Sequence, residues 1–254
     1  MTRHVEKAMG TVFSFDVRHD ADDAVARAVA WLHHVDEVFS TYRPDSPVSR
    51  LARGELGPAD CPPEVGQVLA LCAETERQTD GYFTAFPGGR LEPSGLVKGW
   101  AIEHASQLLT EAGAPRHCVN GGGDIQLGPD PFPWRIGIAH PLRHGELSAV
   151  VTGHDLAVAT SGSAERGPHI IDPHTGLPAA DLASLTLVGA RLTAVDAYAT
   201  AAFAMGEAAR DWVEEQPGLE AYAVTVRGRT WQTSGFAAFT AAGEASAPPG
   251  YAVR

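Results

Sequence analysis

The sequence predicts an α+β fold, a mostly antiparallel sheet packed with helices, read as a single domain over residues 1–254. Three observations lead there. Apolar residues recur at helical spacing through much of the first half. The second half breaks into short β-rich runs separated by Gly, Pro or Asp. Helices and strands are segregated rather than alternating, which disfavours a doubly wound parallel sheet.

Taken in order, "GTVFSFDV" (10–17) alternates with period two and reads as a strand. Residues 22–39 follow helical spacing, with Val25, Ala28, Val29, Leu32, Val35 and Phe39 on one face. The proline-broken stretch 42–58 reads as a loop. A second helix is predicted over 63–78, with Pro63 suited to its first turn. After a second loop (85–95), Ile102, Ala105, Leu109 and Ala112 predict a helix over 98–112, and Gly113 suits its C-terminal cap. The runs "HCVN", "DIQL", "WRIGIA", "LSAVVT", "LAVAT" and "SLTLVGA" then predict an antiparallel sheet. A helix over 193–205 and a closing hairpin turned at Arg227-Gly228 complete the chain, and the tail after about 243 reads as loose.

Composition narrows the function. The formal net charge is −12, a field that repels nucleic acid and anionic membranes, so neither is expected as a partner. An anionic ligand would need a local positive element, a metal or a helix N-terminus. No stretch has the length and apolarity to span a membrane. The first twenty residues lack the apolar segment of a secretory signal, so a cytoplasmic location is expected. Cys61, Cys72 and Cys118 form no metal-type pair and are expected to be reduced.

Several short segments could carry chemistry. Asp196 and Thr200 sit four apart on a predicted helix, so both oxygens share one face. Such hard oxygen ligands suit Mg²⁺ or Ca²⁺; alternatively Thr200 bonds the carbonyl of Asp196. In "VNGGGDIQLG" (119–128), successive glycines can form an anion-binding concavity or a tight hairpin. Lys98, at the predicted helix start, could meet a phosphate together with free N–H groups. "ATSGSAERG" (159–167) brings hydroxyls and glycines into one loop. In "HIIDPHTGLP" (169–178), His169 is the candidate acid/base because its ordinary pKa lies near neutrality. The other reading has Asp172 and Thr175 bonding their own turn and His169 packed; His174, at the variable position of Asp-Pro-x-Thr-Gly, is expected only to face solvent. No serine-hydrolase elbow and no H-E-x-x-H zinc motif is present.

In this order and spacing the segments resemble the ApbE-type FAD:protein FMN transferases. The resemblance rests on "AMGTVFSF" (8–15), "FSTYRPDSPVSRL" (39–51), "TDGYFTAF" (79–86), "GLVKGWAIEHA" (95–105), "VNGGGDIQLG" (119–128), "WRIGIAHP" (134–141), "VATSGSAERGPHIIDPHTGLP" (158–178), "AVDAYATAAFAMG" (194–206) and "TSGF" (233–236). It implies an α+β, FAD-binding, Mg²⁺-dependent enzyme, with Ca²⁺ or Mn²⁺ as other metals. Such an enzyme moves the FMN half of FAD to a Ser or Thr hydroxyl of a partner flavoprotein and releases AMP. Hydrolysis of FAD to FMN and AMP, or flavin binding without catalysis, are the alternatives.

The resemblance also implies site roles. The metal would lie on Asp196, Thr200 and the backbone carbonyl of Val97. FAD would contact Met9, Gly10, Thr11, Tyr42, Lys98, Asn120, Gly121, Gly122, Asp124, Thr160, Ser161, Asp172 and Thr175. Glu103, where relatives carry Asp, could reach an adenosine group, and His169 is the implied catalytic residue. Two further departures are Ser163-Ala164-Glu165 for the usual Asp-Tyr-Glu, and Thr84 after Phe83 where Asp is usual.

Overall fold

The computed structural model describes residues 1–164 and 167–240. Glu165 and the tail after 243 lie outside the described residues. The strands are β1 (Thr2–Ala8), β2 (Thr11–Val17), β3 (His117–Gly121), β4 (Asp124–Leu127), β5 (Trp134–Ala139), β6 (Leu147–Gly153), β7 (Ala157–Gly162), β8 (Leu182–Gly189), β9 (Glu220–Thr225) and β10 (Thr230–Gln232). The helices are α1 (Asp22–Phe39), α2 (Pro47–Ala52), α3 (Pro63–Gln78), α4 (Ser94–Glu111), α5 (Leu192–Met205), α6 (Ala209–Glu214) and α7 (Ala237–Thr240). The α+β expectation holds, and the long helices α1, α3, α4 and α5 fall where periodicity predicts them, α4 starting one turn earlier.

Eight strands form one sheet in the order β1-β2-β3-β4-β7-β8-β9-β10, every neighbouring pair antiparallel. Strands β5 and β6 make a separate two-stranded ribbon. Side chains alternate across the sheet. Phe13, Phe15, Val119, Ala157, Leu185 and Leu187 join a core with α1, α4 and α5 on one face. On the other face Ile125, Leu127, Val158 and Val188 pack with Trp134, Ile136, Val151 and Phe236. Strand β8 is buried at every residue. Its run "LASLTLVG" is nearly continuous in apolar character because it is covered on both faces.

Four elements escape the sequence reading: β1, α2 and the short helices α6 and α7. Strand β1 is an edge strand whose one large aliphatic, Val5, is 66% exposed, so no apolar alternation marks it. Helix α2 lies inside the predicted loop. Its signal was present: the Ser46 hydroxyl accepts the N–H of Ser49, and Pro47 occupies the first turn.

A buried pin ties α4 to β3. His117 is fully buried. Its Nδ1 bonds the carbonyl of Ala114 at 2.7 Å, so Nδ1 carries the proton, and Nε2 accepts from the Ser106 hydroxyl at 2.6 Å. Burial lowers the His117 pKa, against the hydrogen bond to Ala114, and the neighbouring His19 adds to the lowering. The folded state therefore binds fewer protons than the unfolded chain just below pH ~6.5, the ordinary histidine pKa. This contribution to stability is complete above that value and declines as pH falls toward the depressed folded pKa. Thermal midpoints measured between neutral and mildly acidic pH should fall, and the His117→Gln variant should show a shallower slope.

Candidate functional site

Sheet register sets the geometry. The tight turn Met9-Gly10 joins β1 to β2, with Ala8 paired to Thr11. Gly122-Gly123 joins β3 to β4, with Gly121 paired to Asp124. Because Phe13 pairs with Gly121 and Ile125 with Val158, both turns and the C-terminal end of β7 lie at one end of the sheet. Phe39 contacts Trp100, and Trp31 contacts Ala101 and His104, so α1 runs antiparallel to α4. The loop after α1, carrying Tyr42, therefore reaches the start of α4 at that same end. Tyr42 is 97% exposed, leaving its ring free to cover a ligand.

Inside this end, β4 and α5 each contribute one buried carboxylate. Asp124 and Asp196 are 3% and 5% exposed. The Lys98 ammonium from α4 pairs with both: with Asp124 Oδ2, and with Asp196 at 3.3 Å. Two backbone amides also bond these carboxylates. The N–H of Thr160 donates to Asp124 Oδ1 at 3.0 Å, and the N–H of Gly99 donates to Asp196 Oδ2 at 2.9 Å. A buried carboxylate without such partners would cost several kcal/mol. Lys98 sits one turn inside α4, which corrects the expectation that it shares a helix start with free amides; it meets carboxylates instead.

Asp196 reaches α4 only because residue 99 is glycine. A Cβ there would lie 2.6 Å from the carbonyl oxygen of Leu192 and 2.7 Å from Cβ of Asp196. Thr200 is one turn along α5, and its hydroxyl donates to the Asp196 carbonyl at 3.4 Å. The self-bonded alternative for Thr200 is thus the one found, though the residue remains half-buried one turn from the Asp196 carboxylate. Val97 is buried in the first turns of α4. The Gly99 N–H, whose regular helical partner is the carbonyl of Gly95, is aimed at Asp196.

The glycine segment is a hairpin. Gly122 and Gly123 have φ of 60° and 95°, the positive values a two-residue turn requires. Their amides are already bonded, Gly122 N–H to the Val12 carbonyl and Gly123 N–H to Asn120 Oδ1. These two amides therefore do not form an anion cradle; the segment instead delivers Asp124. Alternation along the strands separates the other residues. Asp124, Ser161 and Thr11 lie on the helix-covered face, whereas Asn120 bonds Ser14, and the Thr160 hydroxyl bonds Thr186, on the opposite face. Glu103 is turned away from a ligand role. Its oxygens accept from Arg191 Nε at 2.7 Å and the N–H of Thr193 at 2.9 Å, which caps α5. It borders a separate cleft of about 290 Å³ with Gln126 and Arg191.

The "HIIDPHTGLP" segment leaves the same sheet end as a self-bonded turn. Ile171 bridges Pro178, and Asp172 accepts from the Thr175 hydroxyl at 2.8 Å and the N–H of His174 at 2.9 Å. Partial desolvation would raise the Asp172 pKa, but the bonds from Thr175 and His174 outweigh it and the net shift is downward. His169 is exposed, and its Nδ1 bonds the Gly167 carbonyl at 2.9 Å. Since a carbonyl only accepts, Nδ1 carries the proton and Nε2 presents its lone pair outward. No hydrogen bond joins His169 to Lys98, Asp124 or Thr200 among the described residues. His174 departs from the expectation that it only faces solvent. Its Nε2 donates to the Asp80 carbonyl at 2.9 Å, and its ring lies 4.4 Å from that of Tyr82, so it clamps the turn onto the segment after α3. Its position between Asp-Pro and Thr-Gly carried no sign of that long-range contact.

A buried cluster of two carboxylates and a lysine at one end of an antiparallel sheet, edged by hairpin turns and a polar loop, defines the class: an α+β protein with a charged site at its sheet end. The sequence profile of the ApbE family matches residues 9–89 and 85–223, and the chain belongs to that family. It is 31% identical over 213 residues to the FAD:protein FMN transferase of Rhodobacter capsulatus, covering 79% of this chain and 38% of that protein. With the Escherichia coli K12 protein of the same name it shares 29% over 162 residues, covering 58% of this chain and 46% of the other. The chain thus spans less than half the length of these curated relatives. Among solved structures, the ApbE protein of Thermotoga maritima superposes with a TM-score of 0.81 at 22% identity, covering 94% of this chain and 99% of that one. The Vibrio cholerae flavin transferase ApbE gives 0.80 at 20% identity, covering 94% and 98%. Both show the same fold.

Two outcomes are expected. Gly99→Ala should push α5 off α4 and lower stability by about 1–3 kcal/mol, the range for overpacking, measured by denaturant unfolding. Thr175→Ala should raise the Asp172 pKa toward the ordinary carboxylate value. The turn's stability, present above that value and lost as pH falls, would then be lost at a higher pH, as an NMR titration would show.

Proposed function

We propose that this protein is an FAD:protein FMN transferase: it moves the FMN half of FAD to a Ser or Thr hydroxyl of an acceptor flavoprotein and releases AMP. The observation that carries the proposal is the Asp124–Lys98–Asp196 cluster, built at the sheet end where the Met9-Gly10 turn, the Tyr42 loop and the His169 loop gather. The names of the relatives support the same reading.

The donor set fits a hard divalent cation, Mg²⁺ with Ca²⁺ or Mn²⁺ as substitutes. Asp196 offers a carboxylate and Thr200 a hydroxyl, oxygen ligands such ions accept. Among described residues no group of three or more His, Cys, Asp and Glu is gathered, and a carboxylate–hydroxyl–carbonyl set is not of that kind. The third ligand in this reading is the backbone carbonyl of Val97, in the first turns of α4. When bound, the ion would neutralise charge developing on the pyrophosphate.

The chain's own residues would divide the remaining work. Met9, Gly10, Thr11, Tyr42, Gly121, Gly122, Ser161, Asp172 and Thr175 would form the surface assigned to FAD, with Lys98 toward its phosphates; Asn120 and Thr160 would act from behind it, Asn120 holding the Gly122-Gly123 turn and the Thr160 amide holding Asp124. Glu103 is assigned to holding α5. His169 Nε2, the acceptor nitrogen in the tautomer that the Nδ1 bond to Gly167 selects, takes the proton of the attacking hydroxyl. His174 holds that loop in place. Bringing the acceptor hydroxyl to the phosphorus ahead of water separates transfer from hydrolysis. Residues 1–254 form one catalytic domain in this reading. Three free cysteines support a reducing, cytoplasmic setting. No helix among the described residues is long and apolar enough to cross a membrane.

The test is incubation with FAD, Mg²⁺ and a candidate acceptor, read by mass spectrometry. A gain on the acceptor of FMN minus water is expected; free FMN and AMP with an unmodified acceptor would count against transfer. Asp196→Ala should abolish metal-dependent turnover while the fold survives in circular dichroism. His169→Ala should slow transfer by about 10²–10⁴-fold, the scale of lost general-base catalysis, with FAD affinity little changed. A collapse of that affinity would make His169 a binding residue instead.

A further inference from the structure

We propose that His174 is a positioning residue that sets how much FMN reaches the acceptor rather than water. It does so by latching the turn that carries Asp172 and Thr175 to the end of α3. This rests on the FMN-transfer reading made above and adds to it the control of its outcome.

The anchor on the α3 side is firmly built. Helix α3 runs out into two left-handed residues, Asp80 at φ 49° and Gly81 at φ 79°. That backbone conformation is disfavoured for an aspartate and persists because its surroundings impose it. The Gly81 N–H donates to the Glu76 carbonyl at 2.8 Å. The fully buried Thr79 donates its hydroxyl to the Thr75 carbonyl at 2.8 Å and accepts the Phe83 N–H at 3.1 Å. The Asp80 carbonyl faces the turn and accepts from His174 Nε2 at 2.9 Å. The His174 ring lies over Gly81, 3.8 Å from where a Cβ would stand, and 4.4 Å from the Tyr82 ring. Among the described residues, this is the hydrogen bond that joins residues 167–179 to another element. Their other bonds close within the segment. Ile170 and Ala179 pack on the core where the turn begins and ends. The turn is thus hung on an apolar hinge and stayed by one polar contact.

Transfer and hydrolysis ask different things of this turn. In transfer the acceptor oxygen bonds the FMN phosphorus, the pyrophosphate P–O bond breaks, AMP leaves, and His169 takes the hydroxyl proton. In hydrolysis water is the nucleophile, and FMN and AMP are released. Water can approach the phosphorus from many directions. A hydroxyl carried on a protein arrives only if the surface it docks against is fixed. His169 stands next to the Ile170 hinge, and its own bond reaches no further than Gly167, so its direction follows the turn. A turn released from Asp80 therefore loses transfer faster than hydrolysis.

Two variants test this. His174→Phe keeps a ring against Tyr82 and loses the donor; His174→Gln offers an amide N–H in place of Nε2. His174 is exposed, so both should fold, with thermal midpoints close to wild type. With FAD, Mg²⁺ and the acceptor, His174→Phe should lower flavinylation about ten-fold, the scale of a misplaced reacting group. FAD affinity should stay unchanged, and the ratio of AMP released to FMN on the acceptor should rise several-fold. His174→Gln should restore that ratio. Hydrogen exchange read by mass spectrometry needs no turnover: amides within 170–179 should exchange faster in His174→Phe than in wild type or His174→Gln. An unchanged ratio, a loss of FAD affinity, unchanged exchange, or a Gln variant as poor as Phe would overturn the proposal while FMN transfer stands. If wild type leaves the acceptor unmodified and releases only FMN and AMP, the transfer reading fails and the proposal with it.

Discussion

The burial of two carboxylates around the Lys98 ammonium is the interaction on which the rest of this structure depends. Asp124 and Asp196 lie in the interior between the sheet and its helices, where an unneutralised charge would cost several kcal/mol. The fold meets that cost with Lys98 and two backbone amides. Each donor makes a demand on the chain. Lys98 requires α4 to start a turn earlier and run over β4. The Gly99 amide requires α5 to approach so closely that no side chain fits between. The Thr160 amide requires β7 to pair beside β4 rather than elsewhere in the sheet. The Glu103–Arg191–Thr193 contacts then fix the start of α5, and the Ser106–His117 pin fixes the far half of α4. The site is accurate because these long elements are locked against one another.

The loop from Gly167 to Ala180 obeys a different physics. Among its hydrogen bonds many are local, from Asp172, Thr175 and Leu177, and most of its side chains are exposed. Such a segment gains little from apolar burial and keeps its shape through turn chemistry. His174 supplies an anchor to the segment after α3 through Asp80 and Tyr82. The protein thus combines a rigid, buried charge cluster with a surface loop that presents His169. This suits the proposed reaction, in which a phosphoryl group must be held still while an acceptor protein approaches.

Sequence periodicity alone determined the helices α1, α3, α4 and α5 and most strands of the second half, because their burial is one-sided and repeats at 3.6 or 2 residues. Local chemistry also singled out Asp196, Thr200 and Lys98, since a polar residue on an apolar helix face or beside a glycine stands out locally, whereas Asp124 was implied only by the resemblance to the family. Local signals equally covered the Asp172–Thr175 turn, where both partners lie within four residues. What only the tertiary structure decided are contacts between residues far apart in the chain. That Lys98 bridges Asp124 and Asp196, that Glu103 caps α5, that Thr160 and Ser161 face opposite sides, and that His174 reaches Asp80 all follow from strand register and helix approach. Strand β1 belongs with them: its residues carry no apolar alternation, and it becomes a strand because β2 offers an edge to pair with. A one-dimensional pattern records which face of an element is buried. It does not record which other element lies against that face, and the charge cluster exists only where three of them meet.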